Sequence, residues 1–103
     1  MSEETRKYCT DPELIFEKLK RRSSECGFSI DRVDETNKRI ILSTGMSFLS
    51  YGEKIEVIVS REKDGGSKVY AFSKPKMWFN ITAGEATKKN VQRVFEIIDE
   101  QVE

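Results

Sequence analysis

Histidine is absent from this chain, and with it go the commonest general acid–base group and the commonest neutral metal ligand. Proton transfer would fall to Asp, Glu, Lys, Tyr or Cys. No two carboxylates sit in an apolar setting that would drive their pKa values apart. Glu53 and Glu56 have opposite parity on one predicted strand and do not pair. The chain is therefore not expected to be an enzyme, and no residue is named as catalytic.

Cysteine is scarce too. Cys9 and Cys26 lack the close spacing of zinc ligands, so no metal and no other cofactor is expected. Two reduced thiols are expected rather than a disulfide, and a thiol nucleophile would lack a histidine base. No apolar run approaches the roughly 20 residues that cross a bilayer. The charged stretch Met1 to Lys7 has no signal-peptide core, so the expected location is cytoplasmic, without membrane contact. An excess of one charge is also missing: Lys plus Arg and Asp plus Glu number 18 each. No global field then draws the chain to nucleic acid or an acidic membrane, and any such attraction must be local.

What is present fits one domain over residues 1–103. A chain of this length hides roughly 60–68% of its unfolded surface, enough for one core. The clearest pattern runs from Ser50 to Lys74. Tyr51, Glu53, Ile55, Val57 and Val59 alternate with Gly52, Lys54, Glu56, Ile58 and Ser60, the period of a half-buried strand whose first set faces the core. Asp64-Gly65-Gly66 reverses the chain, Asp64 tolerating a left-handed backbone and glycine adopting it without steric cost. On the return strand, Lys68 to Lys74, Val69 and Ala71 join the core set. Tyr70 and Phe72 point the other way with Lys68 and Lys74. Pro75 ends that strand, having no amide for the ladder.

Upstream, Thr5 to Thr10 suits an edge strand. Asp11-Pro12-Glu13 starts a helix by capping, by preset φ and by charge, and the helix runs to about Glu25 with Ile15, Phe16, Leu19 and Cys26 in one arc and Gly27 as its stop. Its basic cluster, Lys18, Lys20, Arg21 and Arg22, reads as a solvated face or as an anion site. Phe28, Ile30 and Val33 mark a strand, Asp34 to Lys38 a turn, and Arg39 to Thr44 a strand apolar on both faces. After the hairpin comes the aromatic run Met77-Trp78-Phe79, which either closes one end of the core or forms the lip of a pocket. Thr87, Val91, Val94, Phe95, Ile98 and Val102 form the stripe of a last helix, capped by Thr82 or Gly84, whose acidic end (Asp99, Glu100, Glu103) opposes its dipole. The fold class expected is α+β: one curved antiparallel sheet, βαββββα, with both helices on one face.

This order resembles the TATA-binding-protein-like (TBP-like) fold, which the Bet v 1-like ligand-binding domains elaborate. More closely it is similar to a family of small uncharacterised prokaryotic domains. The matching residues are Asp11-Pro12-Glu13 with Ile15, Phe16 and Leu19; Tyr51-Gly52-Glu53-Lys54-Ile55; Asp64-Gly65-Gly66 with Val69; Ser73-Lys74-Pro75; and Gly84 with Asn90. Most are turn, cap or core positions, and the resemblance implies no activity. The family often carries an Asp shortly before the helix glycine. This chain has Thr82-Ala83, so no carboxylate role carries over.

Three functions are open at this point. The first is a binding or self-association module, a homodimer or a protein partner meeting the sheet face opposite the helices. Ile58, Tyr70, Phe72 and Ile41 or the Ile40–Leu42 pair would line that face, with Lys54, Glu56 and Lys74 at its rim. The second is a pocket between the sheet and the last helix, mouthed by Met77, Trp78 and Phe79, for a small apolar ligand. The third is nucleic-acid binding through Lys74, Lys76, Lys88, Lys89 and Arg93, against which the zero net charge counts.

Overall fold

The computed structural model describes residues 2–45, 52–75 and 83–100, with the side chains of Pro75 and of 83–87 set aside. In chain order the elements are β1 (Ser2–Tyr8), α1 (Pro12–Arg22), a 3₁₀ turn (Ser24–Cys26), β2 (Ser29–Asp34), β3 (Arg39–Ser43), β4 (Glu53–Arg61), β5 (Ser67–Pro75) and α2 (Ala83–Asp99). The protein is α+β. Its five strands form one antiparallel sheet in the order β1-β5-β4-β3-β2. Strands β2 to β5 are the expected meander, and β1 closes onto β5, so the first and last strands are neighbours. The N-terminal strand begins three residues earlier than its polar sequence indicates.

The local signals act as their chemistry requires. The Asp11 carboxylate accepts from the Glu13 amide at 2.8 Å, and Pro12 opens α1. That helix stops at Arg22, short of Glu25, because residues 24–26 tighten into a 3₁₀ turn before Gly27, which takes φ +95°. In the β4–β5 turn it is Gly65, at φ +94°, that carries the left-handed step. Asp64 instead accepts from the Gly66 amide at 3.0 Å. A register shift between Ile30 and Arg32 breaks the alternation of β2, which leaves Val33 37% exposed on the edge strand.

Both helices cover one face. Helix α2 lies across β5 with β1 and β4 beside it, and packs on α1, which also covers β4. Phe16, Leu19, Ile40, Leu42, Ile55, Val57, Val69, Ala71, Val94 and Phe95 are fully buried between the layers. The stripe of α2 is wider than its sequence alone indicates, because Ile97 and Asn90 are buried beside Val91, Val94, Phe95 and Ile98. Val102 and the side chain of Thr87 lie outside the described residues.

Two members of the basic cluster of α1, Lys18 and Arg22, clamp the acidic end of α2, while Lys20 pairs with Glu17 and Glu35. Lys18 Nζ donates to the Ile98 carbonyl at 2.9 Å and to that of Glu100, and Arg22 pairs with Glu100 at 2.9 Å. Arg6 reaches Asp99 at 3.3 Å. Cations from the first helix and first strand thus supply what the last turn of α2 lacks. Among the described residues no helix is long and apolar enough to cross a membrane.

Candidate functional site

Because both helices take one face, the other face of the sheet is left to solvent, and strand register fixes what it displays. Lys54 stands directly opposite Lys74. In the next row Glu56 faces Phe72, with Ile41 and then Arg32 on one flank and Glu3 on the other. One row on, Ile58 faces Tyr70, flanked by Arg39 and Thr5. In the last, Lys68 lies between Ser60 and Lys7.

Across the first rows runs a groove of about 460 Å³. Ile41 and Phe72, each half-buried, supply its apolar surface. Four cations line it, Arg32, Arg39, Lys54 and Lys74, against two carboxylates, Asp31 and Glu56. Both carboxylates are engaged. Glu56 accepts from Arg39 Nε at 2.6 Å, while Asp31 accepts from Ser43 Oγ at 3.0 Å and lies 3.7 Å from Lys54 Nζ. Arg32 and Lys74 form no ion pair among the described residues. The groove therefore offers an aromatic ring and an aliphatic side chain inside a rim where cations outnumber carboxylates by two. An arrangement of this kind holds flat or apolar groups that carry negative charge.

Of the residues singled out from sequence, Phe72, Lys54 and Lys74 come together in this groove. Ile58 and Tyr70 share the face one row further along, outside the groove lining. The Tyr70 hydroxyl donates to Glu3 Oε2 at 2.7 Å, a bond that raises the phenol above its ordinary pKa. Met77, Trp78, Phe79 and Lys76 lie outside the described residues. The basic set proposed for nucleic acid does not assemble. Lys74 is on the open face, Lys88 and Lys89 are exposed on α2, and the Arg93 guanidinium stacks 4.7 Å over the Phe28 ring. Arg32, Arg39 and Asp31 were not picked out from sequence. Strand parity in β3 places Arg39 beside Ile41, but the register shift in β2 hides which side Asp31 and Arg32 occupy.

A second polar cluster sits on the helix-covered face at one end of the sheet. The Glu53 side chain, 5% exposed, accepts from Asn90 Nδ2 at 3.2 Å and from Thr44 Oγ1 at 3.0 Å, and Asn90 is itself 5% exposed. Alternation places Glu53 on the inner face, but its partner from α2 is set by tertiary packing. A buried carboxylate held by side-chain donors ties α2 to the start of β4.

No family model matches the chain, and a comparison with curated proteins finds no match either. Solved structures do match. The crystal structure of Ara h 8.0201 superposes with a TM-score of 0.65 and 16% identity, over 94% of this chain and 92% of that one. A likeness at that identity concerns the fold alone, and the fold is Bet v 1-like.

Proposed function

We propose that the protein is a small, non-catalytic, cytoplasmic binding module whose working surface is the open sheet face around Phe72, and that it belongs with the small prokaryotic domains its sequence pattern resembles. The observation that carries this reading is the groove itself, where Phe72 and Ile41 stand half-buried among four cations and only two carboxylates. A second copy is the weaker occupant, because two such grooves face to face would bring like charges together, at a cost of several kcal/mol.

The second reading is a site for a small apolar molecule between the sheet and α2. It is supported by the Bet v 1-like fold and by the buried polar cluster of Glu53, Asn90 and Thr44, which would orient a ligand's polar end. Amide shift mapping with 1-anilinonaphthalene-8-sulfonate, an anionic aromatic probe, separates the two. Perturbed amides confined to β2, β3, β4 and β5, with binding weakened by Phe72→Ala, are expected. Shifts centred on α2 and the core, unchanged by Phe72→Ala, would refute the open-face reading in favour of the second.

A further inference from the structure

Chain neutrality conceals a pattern on the open face that only strand register exposes. Two like-charge pairs stand in register, Lys54 opposite Lys74 and Lys68 opposite Lys7. Like charges directly opposite one another destabilise a sheet, so neither pair serves the fold. Between them on β5 lie Phe72 and Tyr70, both half-buried and on the same face. At roughly 3.4 Å per residue the rings are about 7 Å apart and the two lysine pairs about 20 Å apart. The face is thus a track along β5: lysine pair, aromatic, aromatic, lysine pair. Of the carboxylates beside it, Glu56 pairs with Arg39 and Asp31 with Lys54 and Ser43, while Glu3 accepts from the neutral Tyr70 hydroxyl and keeps its charge, so the positive potential is concentrated at the two lysine pairs.

We propose that this track binds single-stranded nucleic acid, with bases stacked on Phe72 and Tyr70 and phosphates held by the two lysine pairs. The proposal rests on the open-face reading above and names its ligand. A single strand is the anionic polymer that presents a flat ring at each repeat, and sheet faces bearing neighbouring aromatics take it by stacking. An acidic peptide would satisfy the lysines but leave both rings unused. A duplex hides its bases from them.

Fluorescence anisotropy with labelled twelve-residue oligo-dT and oligo-U, a twelve-base-pair duplex and a twelve-residue polyglutamate tests this. Both single strands are expected to bind, the duplex and polyglutamate at least about ten-fold more weakly. Four lysine–phosphate contacts, each contributing about 0.7, predict a slope of roughly −3 in log affinity against log salt. Phe72→Ala should lower affinity about ten-fold or more, as loss of one stacked base does. Lys68→Ala with Lys74→Ala should flatten the slope by about 1.4. Because these side chains lie on the solvent face, an unchanged amide spectrum checks that each variant is folded. Absent binding, a salt-independent affinity, indifference to Phe72→Ala, or equal binding of polyglutamate would each overturn the proposal. If the sulfonate probe maps to β2–β5 while the oligonucleotides fail to bind, the ligand class is wrong and the binding face stands. If neither binds there, both fall.

Discussion

Reversing the charge of one lysine in the Lys54–Lys74 pair should make the protein more stable while weakening the nucleic-acid binding proposed above. The two side chains are in direct register on adjacent strands, and both are exposed. Ammonium groups splayed to about 7 Å repel by roughly 0.6 kcal/mol at the dielectric constant of water. Lys74→Glu turns that repulsion into an attraction of similar size, a swing of about 1.2 kcal/mol before screening. A Debye length of about 8 Å at physiological salt removes roughly half of it. Two neighbours reduce the gain further. Lys54 already leans toward Asp31 at 3.7 Å, and Glu56, diagonal to position 74, repels a new carboxylate in so far as Arg39 leaves it uncovered. A net stabilisation of about 0.5–1 kcal/mol in dilute buffer remains, within the range of a cross-strand ion pair. Urea unfolding of the natural protein, Lys74→Ala and Lys74→Glu checks this. Stability should rise in that order in dilute buffer, and the three should converge in 1 M salt as the Debye length shrinks to about 3 Å. Were Lys74→Glu the least stable of the three, or its advantage undiminished by salt, the register-based repulsion would be refuted.

Two further outcomes follow from the buried polar groups. Asn90→Leu removes the amide donor from the buried Glu53 carboxylate and should cost about 1–3 kcal/mol in thermal unfolding, part of it recovered when Glu53→Met is added, since the buried charge short of a donor is then gone while the Thr44 hydroxyl loses its acceptor. The Tyr8 phenol is pushed up to about 12, first by burial and then by its contact with Asp99, which favours the neutral ring in the folded state. Its contribution is whole below pH 10, the unfolded value, and is lost as pH rises toward 12; discounted for its partial exposure it amounts to about 1 kcal/mol, and Tyr8→Phe should flatten that alkaline limb of the stability curve.

The fold was legible wherever a local rule fixes a residue. Asp11-Pro12 marks the start of α1, the alternation from Glu53 to Val59 gives the buried face of β4, and Val91, Val94, Phe95 and Ile98 give the face α2 turns to the sheet. It was less legible where two elements decide together. Lys18 looks like a solvated lysine until α2 brings its last carbonyls within 2.9 Å, and the burial of Asn90 makes sense only beside Glu53. The position of β1 was blurred for a related reason. Its residues are half-buried or exposed, so no hydrophobic period marks its ends, and its pairing with β5 sets them.

Legibility of the site follows the same division. Alternation along β4 and β5 suffices to place Lys54, Ile58, Tyr70, Phe72 and Lys74 on one face, but not to show that lysines stand opposite lysines, since that depends on register between strands. Nor does a net charge of zero describe any one surface. Many of the acids are taken up around the helices and the adjoining turns: Glu17 and Glu35 hold Lys20, Glu25 and Glu100 hold Arg22, Asp99 holds Arg6, and Glu13 holds Lys38. Each carboxylate engaged there is one fewer available to balance the sheet, and the lysines of the open face are left facing one another. A neutral chain thereby presents a locally positive track, and an argument against anionic ligands drawn from total charge fails once the ion pairs are assigned to their sides of the molecule.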